Sequence, residues 1–274
     1  IVFTIEGVEN FRMIGKRFEF LNNGRSIFIG EGTGREDENA DNQNTAIDHN
    51  AMFNDSLLGK QNVAVGESTL LELKSGERNT AVGQSAMRRL STGSYNTAVG
   101  EDSLYGNIVR NNNTAIGRHA GENIFGDGGV YIGYRAGRHE TGSNKLYIDN
   151  SDTASPLIYG EFDNNLIIIN GTYEVTSDIN LKSDIEELSG VLPQVLSLQG
   201  NKYKRKNIKD SEKREIGVIA QDIQKIFPEL VGSNKEGYLS VNYTGLVPVL
   251  IEAMKEQQQQ INNLSKRLNS IDNK

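Results

Sequence analysis

The sequence of 274 residues predicts a mainly β protein, in which a β-solenoid of stacked short strands precedes a small α+β domain with a long C-terminal helix. Three observations favour this fold. A short motif recurs at nearly constant spacing, alternating strands follow it, and the last segment carries an apolar repeat typical of a coiled coil. The 29 Gly residues against only 4 Pro indicate many short elements joined by tight turns.

The repeated motif is a short β-branched stretch that often reads Asn-Thr-Ala-Val-Gly. Its seven copies start 18, 18, 17, 17, 17 and 16 residues apart, at Ser26, Asn44, Asn62, Asn79, Asn96, Asn113 and Gly129. In the copy that begins at Asn79, the β-branched Thr80 and Val82 point one way and Ala81 the other. Each copy therefore predicts one short strand of a coil with a tight interior.

A second short strand is expected after each copy, at patches such as Ser85-Ala86-Met87, where the chain turns the corner. One rung cannot bury enough apolar area to offset its ordering entropy, so the rungs must stack on one another. Residues 1–149 are therefore predicted to form a shaft, with repeats from about residue 26. The repeats resemble the β-roll heads of trimeric adhesins and the shafts of phage tail fibres, and this likeness implies a structural spacer.

Residues 150–176 are predicted to cap the shaft. The period ends at about Lys145, and the chain then alternates as β-branched strands around a hairpin-type turn at Asn164-Asn165. The open end of a solenoid exposes backbone hydrogen-bonding groups. A closing element is therefore needed to prevent edge-to-edge association.

Residues 177–274 are predicted to form a compact α+β unit. A helix-like stretch precedes an alternating hairpin, and an amphipathic helix through Ile223 then stops at Pro228. One long helix follows, from about Gly245 to the end of the chain.

The last helix carries an apolar seam at alternating steps of three and four residues, formed by Met254, Gln257, Ile261, Leu264, Leu268 and Ile271. This heptad pattern predicts a short trimeric coiled coil, in which the polar Gln257 favours one register. The competing interpretation is a single amphipathic helix that packs back on its own domain. A parallel seam would hold three chain ends together before the strands of the shaft pair.

Three blocks in the C-terminal third, SDINLK, GVIAQDIQKIFPELV and LSVNYTGLVPVLIEAMKEQ, occur in an order that resembles the endosialidase-type intramolecular chaperone family. That family comprises self-cleaving C-terminal domains of phage tail spikes and tail fibres. In it, a Ser followed five residues later by a Lys forms a catalytic dyad, and the bond before the Ser is cut after trimerisation. The resemblance implies a single-turnover serine autoprotease with Ser177 and Lys182 as catalytic residues and Thr176–Ser177 as scissile bond. Asn180 stands where the family commonly has Arg.

The residue types alone also make such a dyad reasonable. A Ser hydroxyl is a weak nucleophile until a base removes its proton, and a chain with no Cys and 3 His offers Lys as that base. A lysine acts as a base only when neutral, which desolvation in an apolar interface favours. Asp178 and Gln221 are candidate supporting residues. In the alternative interpretation Ser177 only caps the turn 178–182, and Gln221 is a structural hydrogen-bonder.

Neither a cofactor nor a metal is expected. His49, His119 and His139 lie in different rungs without ligand spacing, and the acidic stretch 35–41 lacks a calcium-loop pattern. Residues 1–176 carry 15 Lys and Arg against 23 Asp and Glu, so nucleic acid is not an expected partner. No apolar run reaches the length of a membrane span.

These features together predict a virion tail fibre or a bacterial surface adhesin. The expected assembly is a homotrimer whose C-terminal domain guides trimerisation and then releases itself, and a cell-surface glycan or receptor is a candidate partner of the shaft. The alternative is a structural surface adhesin whose chaperone domain stays attached. An independent glycan-degrading fibre enzyme is disfavoured because the repeats show no paired catalytic carboxylates in a recognisable context.

Overall fold

The computed structural model describes residues 2–5, 8–14, 17–20, 25–34, 42–54, 57–206 and 214–272. The chain divides into two compact units, Ile1–Glu174 and Val175–Lys274. The N-terminal unit begins with an antiparallel sheet of three strands, β1 (Val2–Ile5), β2 (Val8–Ile14) and β3 (Arg17–Phe20). Strand β2 pairs with both of the others and is therefore the central strand.

A ten-stranded sheet runs through the repeats and confirms the predicted β-solenoid. Its first eight strands are parallel: β4 (Ile27–Ile29), β5 (Thr45–Ile47), β6 (Val63–Val65), β7 (Thr80–Val82), β8 (Thr97–Val99), β9 (Thr114–Ile116), β10 (Val130–Ile132) and β11 (Lys145–Ile148). The antiparallel strands β12 (Ile158–Glu161) and β13 (Leu166–Ile169) complete it. The strand order follows the chain order, so each coil lies on the one before it.

The middle residue of each short strand points into the solenoid. In five consecutive rungs it is a fully buried Ala, at positions 46, 64, 81, 98 and 115. Larger side chains from the turns, such as Leu70, Met87 and Leu104, are also fully buried and fill the rest of the interior. The strand wall is thus built from small residues, and the turns supply most of the apolar volume.

A ladder of buried Asn side chains runs along the rungs, directly before the strands. Asn79 Nδ2 donates to Asn62 Oδ1 at 3.0 Å and to the Gly93 carbonyl oxygen at 2.9 Å. Asn79 Oδ1 accepts from the backbone N–H and from the Nδ2 of Asn96, both at 3.0 Å. The amide therefore uses both of its donors and accepts two hydrogen bonds, which offsets the cost of burying it.

The second strand expected at Ser85-Ala86-Met87 is absent, and this prediction was wrong. Residues 84–89 form a turn, and Ser85 and Met87 both adopt positive φ, at 57° and 51°. The Ser85 N–H donates to Glu67 O in the preceding rung, and the Met87 N–H donates to Ser103 O in the following rung, both at 2.9 Å. This wall therefore stacks by hydrogen bonds between rungs without extended backbone.

The Gly that ends most of these strands is required by backbone conformation and by stacking. Gly100 has a φ of +133°, and a Cβ at this position would lie 2.6 Å from the carbonyl oxygen of Gly117 in the next rung. Asp48 takes the corresponding position in the second copy, with a φ of 103°. That conformation is strained for a residue with a side chain.

A polar network around Glu161 holds the last hairpin of the sheet. Lys145 Nζ lies 2.9 Å from Glu161 Oε1, and the Tyr159 hydroxyl donates to the same oxygen at 2.7 Å. The side-chain amide of Asn164 donates to Glu161 Oε2. Hydrogen bonds from Asn164, Tyr159 and Lys145 lower the pKa of Glu161 to about 2. The ionised carboxylate therefore links β11, β12 and the following turn.

The described residues of the C-terminal unit form three α-helices and two small antiparallel sheets. The helices are α1 (Leu192–Leu196), α2 (Ala220–Ile226) and α3 (Leu246–Asp272). Strand β14 (Asn201–Tyr203) pairs with β15 (Glu215–Gly217), and β16 (Val231–Ser233) pairs with β17 (Leu239–Val241). Two 3₁₀ turns occur at Ile179–Leu181 and Pro228–Leu230. No helix in the described ranges is long and apolar enough to cross a bilayer.

Helix α3 has two parts with different surroundings. Val249 and Ala253 are buried in a small core with Leu192, Ile223 and Phe227, so the first part packs on α1 and α2. Residues 257–271 are exposed along the whole remaining length. The apolar members of the predicted seam are all at least 48% exposed in the protomer. The seam therefore does not pack back on the core of its own unit.

Candidate functional site

The predicted catalytic residues flank a short 3₁₀ turn. Asp178 caps this turn, since its Oδ1 accepts from the backbone N–H of Asn180 at 2.8 Å and from Asn180 Nδ2 at 2.9 Å. The backbone N–H of Lys182 donates to Ile179 O at 3.1 Å and closes the turn. These hydrogen bonds fix the backbone between Ser177 and Lys182.

Lys182 Nζ donates a hydrogen bond to Ser177 Oγ at 2.6 Å. The two side chains are therefore close enough for direct proton transfer between a hydroxyl and an amine. Ser177 does not cap the turn, as the alternative interpretation had it, because Asp178 occupies the N-cap position.

The segment around this pair is exposed. All residues from 175 to 190 are exposed, including the apolar side chains of Val175, Ile179, Leu181 and Ile185. In an isolated protomer the contact between Lys182 and Ser177 is therefore open to water.

Gln221 lies in a different place from the pair. It belongs to the first turn of α2 and lines an open cavity of about 460 Å³ together with Tyr203, Arg205 and Tyr243. Within the described ranges, no hydrogen bond joins Gln221 to Ser177 or Lys182. The protomer therefore brings Ser177, Lys182 and Asp178 together and leaves Gln221 apart from them.

Two polar contacts of this unit escaped the sequence analysis. The amide of Asn180 binds the carboxylate of Asp178 and fixes the turn, a pairing that the spacing of an Asx motif could have indicated. The carboxylate of Glu256 accepts from the backbone N–H groups of Val191 and Leu192, at 3.1 and 2.9 Å. These residues lie about 65 positions from Glu256 in the sequence, so no local pattern signals the contact.

Rung stacking also groups ligand-type side chains in the shaft. His119 Nδ1 lies 3.7 Å from Asp102 Oδ2, and these two residues form a set of potential metal ligands with Glu101. His119 Nδ1 also lies 3.0 Å from Glu122 Oε2. Burial raises the pKa of Asp102. Arg118 pairs with Glu101 at 3.0 Å, so one carboxylate of the set is already engaged. The acidic stretch 35–41 lies outside the described residues.

The comparison with known families matches the segment that holds the Ser–Lys pair. Residues 177–232 match the family described as chaperone of endosialidase, and the match begins at Ser177 itself. The chain carries an endosialidase-type chaperone domain. The resemblance expected from the three sequence blocks is thus confirmed for this part of the chain.

The relatives of this chain include proteins of phage tail fibres. The chain is 36% identical over 97 residues to the long tail fiber protein Gp37 of Enterobacteria phage M1, and equally to that of phage Ox2, across 33% of this chain and 39% of each relative. It is 32% identical over 89 residues to the same protein of Escherichia phage AR1, across 30% of this chain and 8% of the relative. The chain thus spans less than half the length of these relatives. The similarity supports the expected location in a virion tail fibre.

Proposed function

We propose that this chain is part of a trimeric tail-fibre shaft whose chaperone domain aligns three copies and then releases itself by cutting the Thr176–Ser177 bond. The observation that carries the proposal is the 2.6 Å contact between Lys182 Nζ and Ser177 Oγ. This pair lies at the first residue of the chaperone match. It also directly follows the end of the solenoid unit. A cut at this bond would separate the shaft from the domain.

The proposed reaction uses the hydroxyl of Ser177 against the carbonyl carbon of the preceding residue. Neutral Lys182 takes the hydroxyl proton, and Ser177 Oγ attacks the carbonyl carbon of Thr176. The peptide C–N bond breaks, an ester joins Thr176 to Ser177 Oγ, and the freed amine of Ser177 receives a proton. Water then hydrolyses the ester, which leaves a carboxylate on Thr176 and restores the hydroxyl of Ser177.

Assembly is the proposed trigger for this reaction. The turn between the two residues of the pair carries exposed apolar side chains, Ile179 at 70% and Leu181 at 75% exposure. A neighbouring copy that covers these side chains would remove water from the lysine and favour its neutral form. The exposed seam of α3 offers the means of bringing the copies together. Cleavage would then report that trimerisation is complete.

Intact mass spectrometry and denaturing electrophoresis of freshly expressed protein test the cut. The wild-type chain should give two fragments, residues 1–176 and 177–274. Ser177→Ala removes the nucleophile and should leave the chain intact. Lys182→Arg should do the same, because a guanidinium does not act as a base near neutral pH.

Ser183→Ala is the matched control, since Ser183 lies in the same exposed segment beside the pair. It should be processed like the wild type. A cut at another bond, or unchanged processing in Ser177→Ala or Lys182→Arg, would contradict the dyad. An intact wild-type chain would favour the alternative in which the chaperone domain stays attached.

The chaperone part of the proposal has a separate test. Residues 1–176 expressed alone should give misassembled or insoluble shaft, because rungs of similar sequence pair out of register at little local cost. The same residues obtained by cleavage of the folded chain should remain a stable trimer. Sedimentation and thermal melting compare the two preparations. Equal yields of equally stable trimer from both routes would show that no folding assistance is needed.

A further inference from the structure

The outer face of the solenoid sheet carries a continuous column of β-branched apolar residues. In β4 to β10 this column is the third residue of each strand, beginning with Ile29 and Ile47. It continues in register through Ile148, Ile158 and Ile169 of the last three strands. All ten strands therefore contribute an Ile or a Val to one line.

This column faces away from the core of the solenoid. Neighbouring middle residues such as Ala98 are fully buried, and side chains alternate between the two faces of a strand. Ile29 and Ile116 are each 45% exposed, and Val99 is 39% exposed. The column is thus accessible in the protomer.

The whole face lacks charge. Each strand has two outward positions, one in the Ile/Val column and one in a parallel column of mostly Thr, Val, Leu and Ile. None of these twenty positions holds a charged residue, although charged residues make up 24% of the chain. The ion pair of Arg118 with Glu101 lies in the turns, and that of Lys145 with Glu161 joins strand positions outside the two columns. An uncharged face offers nothing to an ionic ligand.

The uncharged face extends over a greater length than the scattered apolar side chains of an ordinary protein surface. Ten strands at a spacing of ~4.8 Å make a strip about 43 Å long. Monomeric proteins rarely expose a contiguous apolar area of this extent unless it is an interaction site.

We infer that this strip is the surface through which the shafts of two further copies of this chain pack, with the copies parallel and in the same register. The inference rests on the proposed function, which supplies the trimer. A second copy is the occupant favoured by the repeat, because its strip has the same rise per rung. Ile and Val side chains of one copy then fit between those of its neighbour at every level. Three such strips that face a common axis close the assembly and bury the column.

Single cysteine variants test this arrangement, since the native chain has no Cys. Ile47→Cys places one thiol near the start of the column, and Ile116→Cys places one near its middle. A disulfide needs Cβ atoms about 4 Å apart. Cysteines at both heights therefore each cross-link to the same cysteine of a neighbouring copy only if the two copies are parallel and in the same register. After mild oxidation, about two thirds of the chains should run as a covalent dimer on a denaturing gel, because three thiols at an axis form one disulfide.

Leu58→Cys and Ile108→Cys are the matched controls. Both positions are apolar and comparably exposed, at 54% and 46%, but lie outside the sheet. They should stay monomeric on the gel. Equal cross-linking of controls and column variants would overturn the inference. The inference is also overturned if light scattering shows a trimer but neither column variant cross-links.

The inference and the proposed function fail in different ways. Cleavage at Thr176–Ser177 is read from the intact mass and does not depend on which face of the shaft is covered. A processed trimer without column cross-links refutes the surface and leaves the proposed function standing. A monomeric wild-type chain refutes the packing of copies, and an unprocessed chain refutes the cut. An antiparallel pair brings at most one height of the column opposite itself, so it would not cross-link both Ile47→Cys and Ile116→Cys. That result would refute the parallel register.

Discussion

Replacing Asn79 by Ala should remove more stability than the same replacement at Asn113. The Asn79 side chain makes four hydrogen bonds to Asn62, Gly93 and Asn96. The Asn113 side chain makes two, to the Gly126 carbonyl at 3.2 Å and from the Gly129 N–H at 2.8 Å. The two sites thus differ in hydrogen bonds while the chemical change is identical.

A net value of about 1 kcal/mol for each hydrogen bond gives an expected loss of about 4 kcal/mol for Asn79→Ala and about 2 kcal/mol for Asn113→Ala. Both positions are fully buried, so the loss of side-chain volume is the same in each variant. The difference in the free energy of unfolding between the two variants therefore measures the contribution of the additional hydrogen bonds made by Asn79 in the ladder. Partners left inside the shaft, such as the Asn96 N–H, cannot bind bulk water instead.

Urea titrations at one fixed protein concentration, followed by circular dichroism, measure the change in the free energy of unfolding. The Ser177→Ala background keeps the chain in one piece. An equal loss for the two variants would refute the reasoning, as would a loss below about 1 kcal/mol for Asn79→Ala. In either case the Asn ladder would not be a main source of stability.

Three further outcomes are expected. Asp48→Gly should raise the melting temperature, with a gain of about 1 kcal/mol, because it relieves a positive φ; an unchanged or lower value would argue against strain. Glu161, whose pKa is lowered to about 2, stabilises the fold fully above its ordinary pKa and loses this effect as the pH falls toward 2. Glu161→Gln should flatten the pH dependence of melting between about pH 4.5 and 2, and an unaltered profile would contradict this. Glu256→Gln should speed amide hydrogen exchange at Leu192, whereas the control Glu252→Gln should not; equal rates in all three proteins would refute the cap.

The positions of the short strands follow from the sequence because the signal is local and repeated. Thr80, Ala81 and Val82 alternate in size and branching, and a strand buries every second side chain. The spacing of Ser177 and Lys182 is equally local, since the two residues lie five positions apart and their side chains form a hydrogen bond. The resemblance to the endosialidase-type chaperone could also be predicted from the sequence, because each of its blocks is a contiguous stretch of residues.

Only the tertiary structure determined which residues of neighbouring rungs contact each other. The motif shows an Asn at position 79, but its four hydrogen bonds join residues 14 to 17 positions away. The turn at Ser85 forms in place of the expected strand because the left-handed conformation of Ser85 and Met87 lets their N–H groups reach opposite neighbouring rungs. His119 came next to Asp102 through the same stacking. Contacts of this kind depend on how many residues complete one coil, and a local pattern does not encode which atoms then face each other across neighbouring coils.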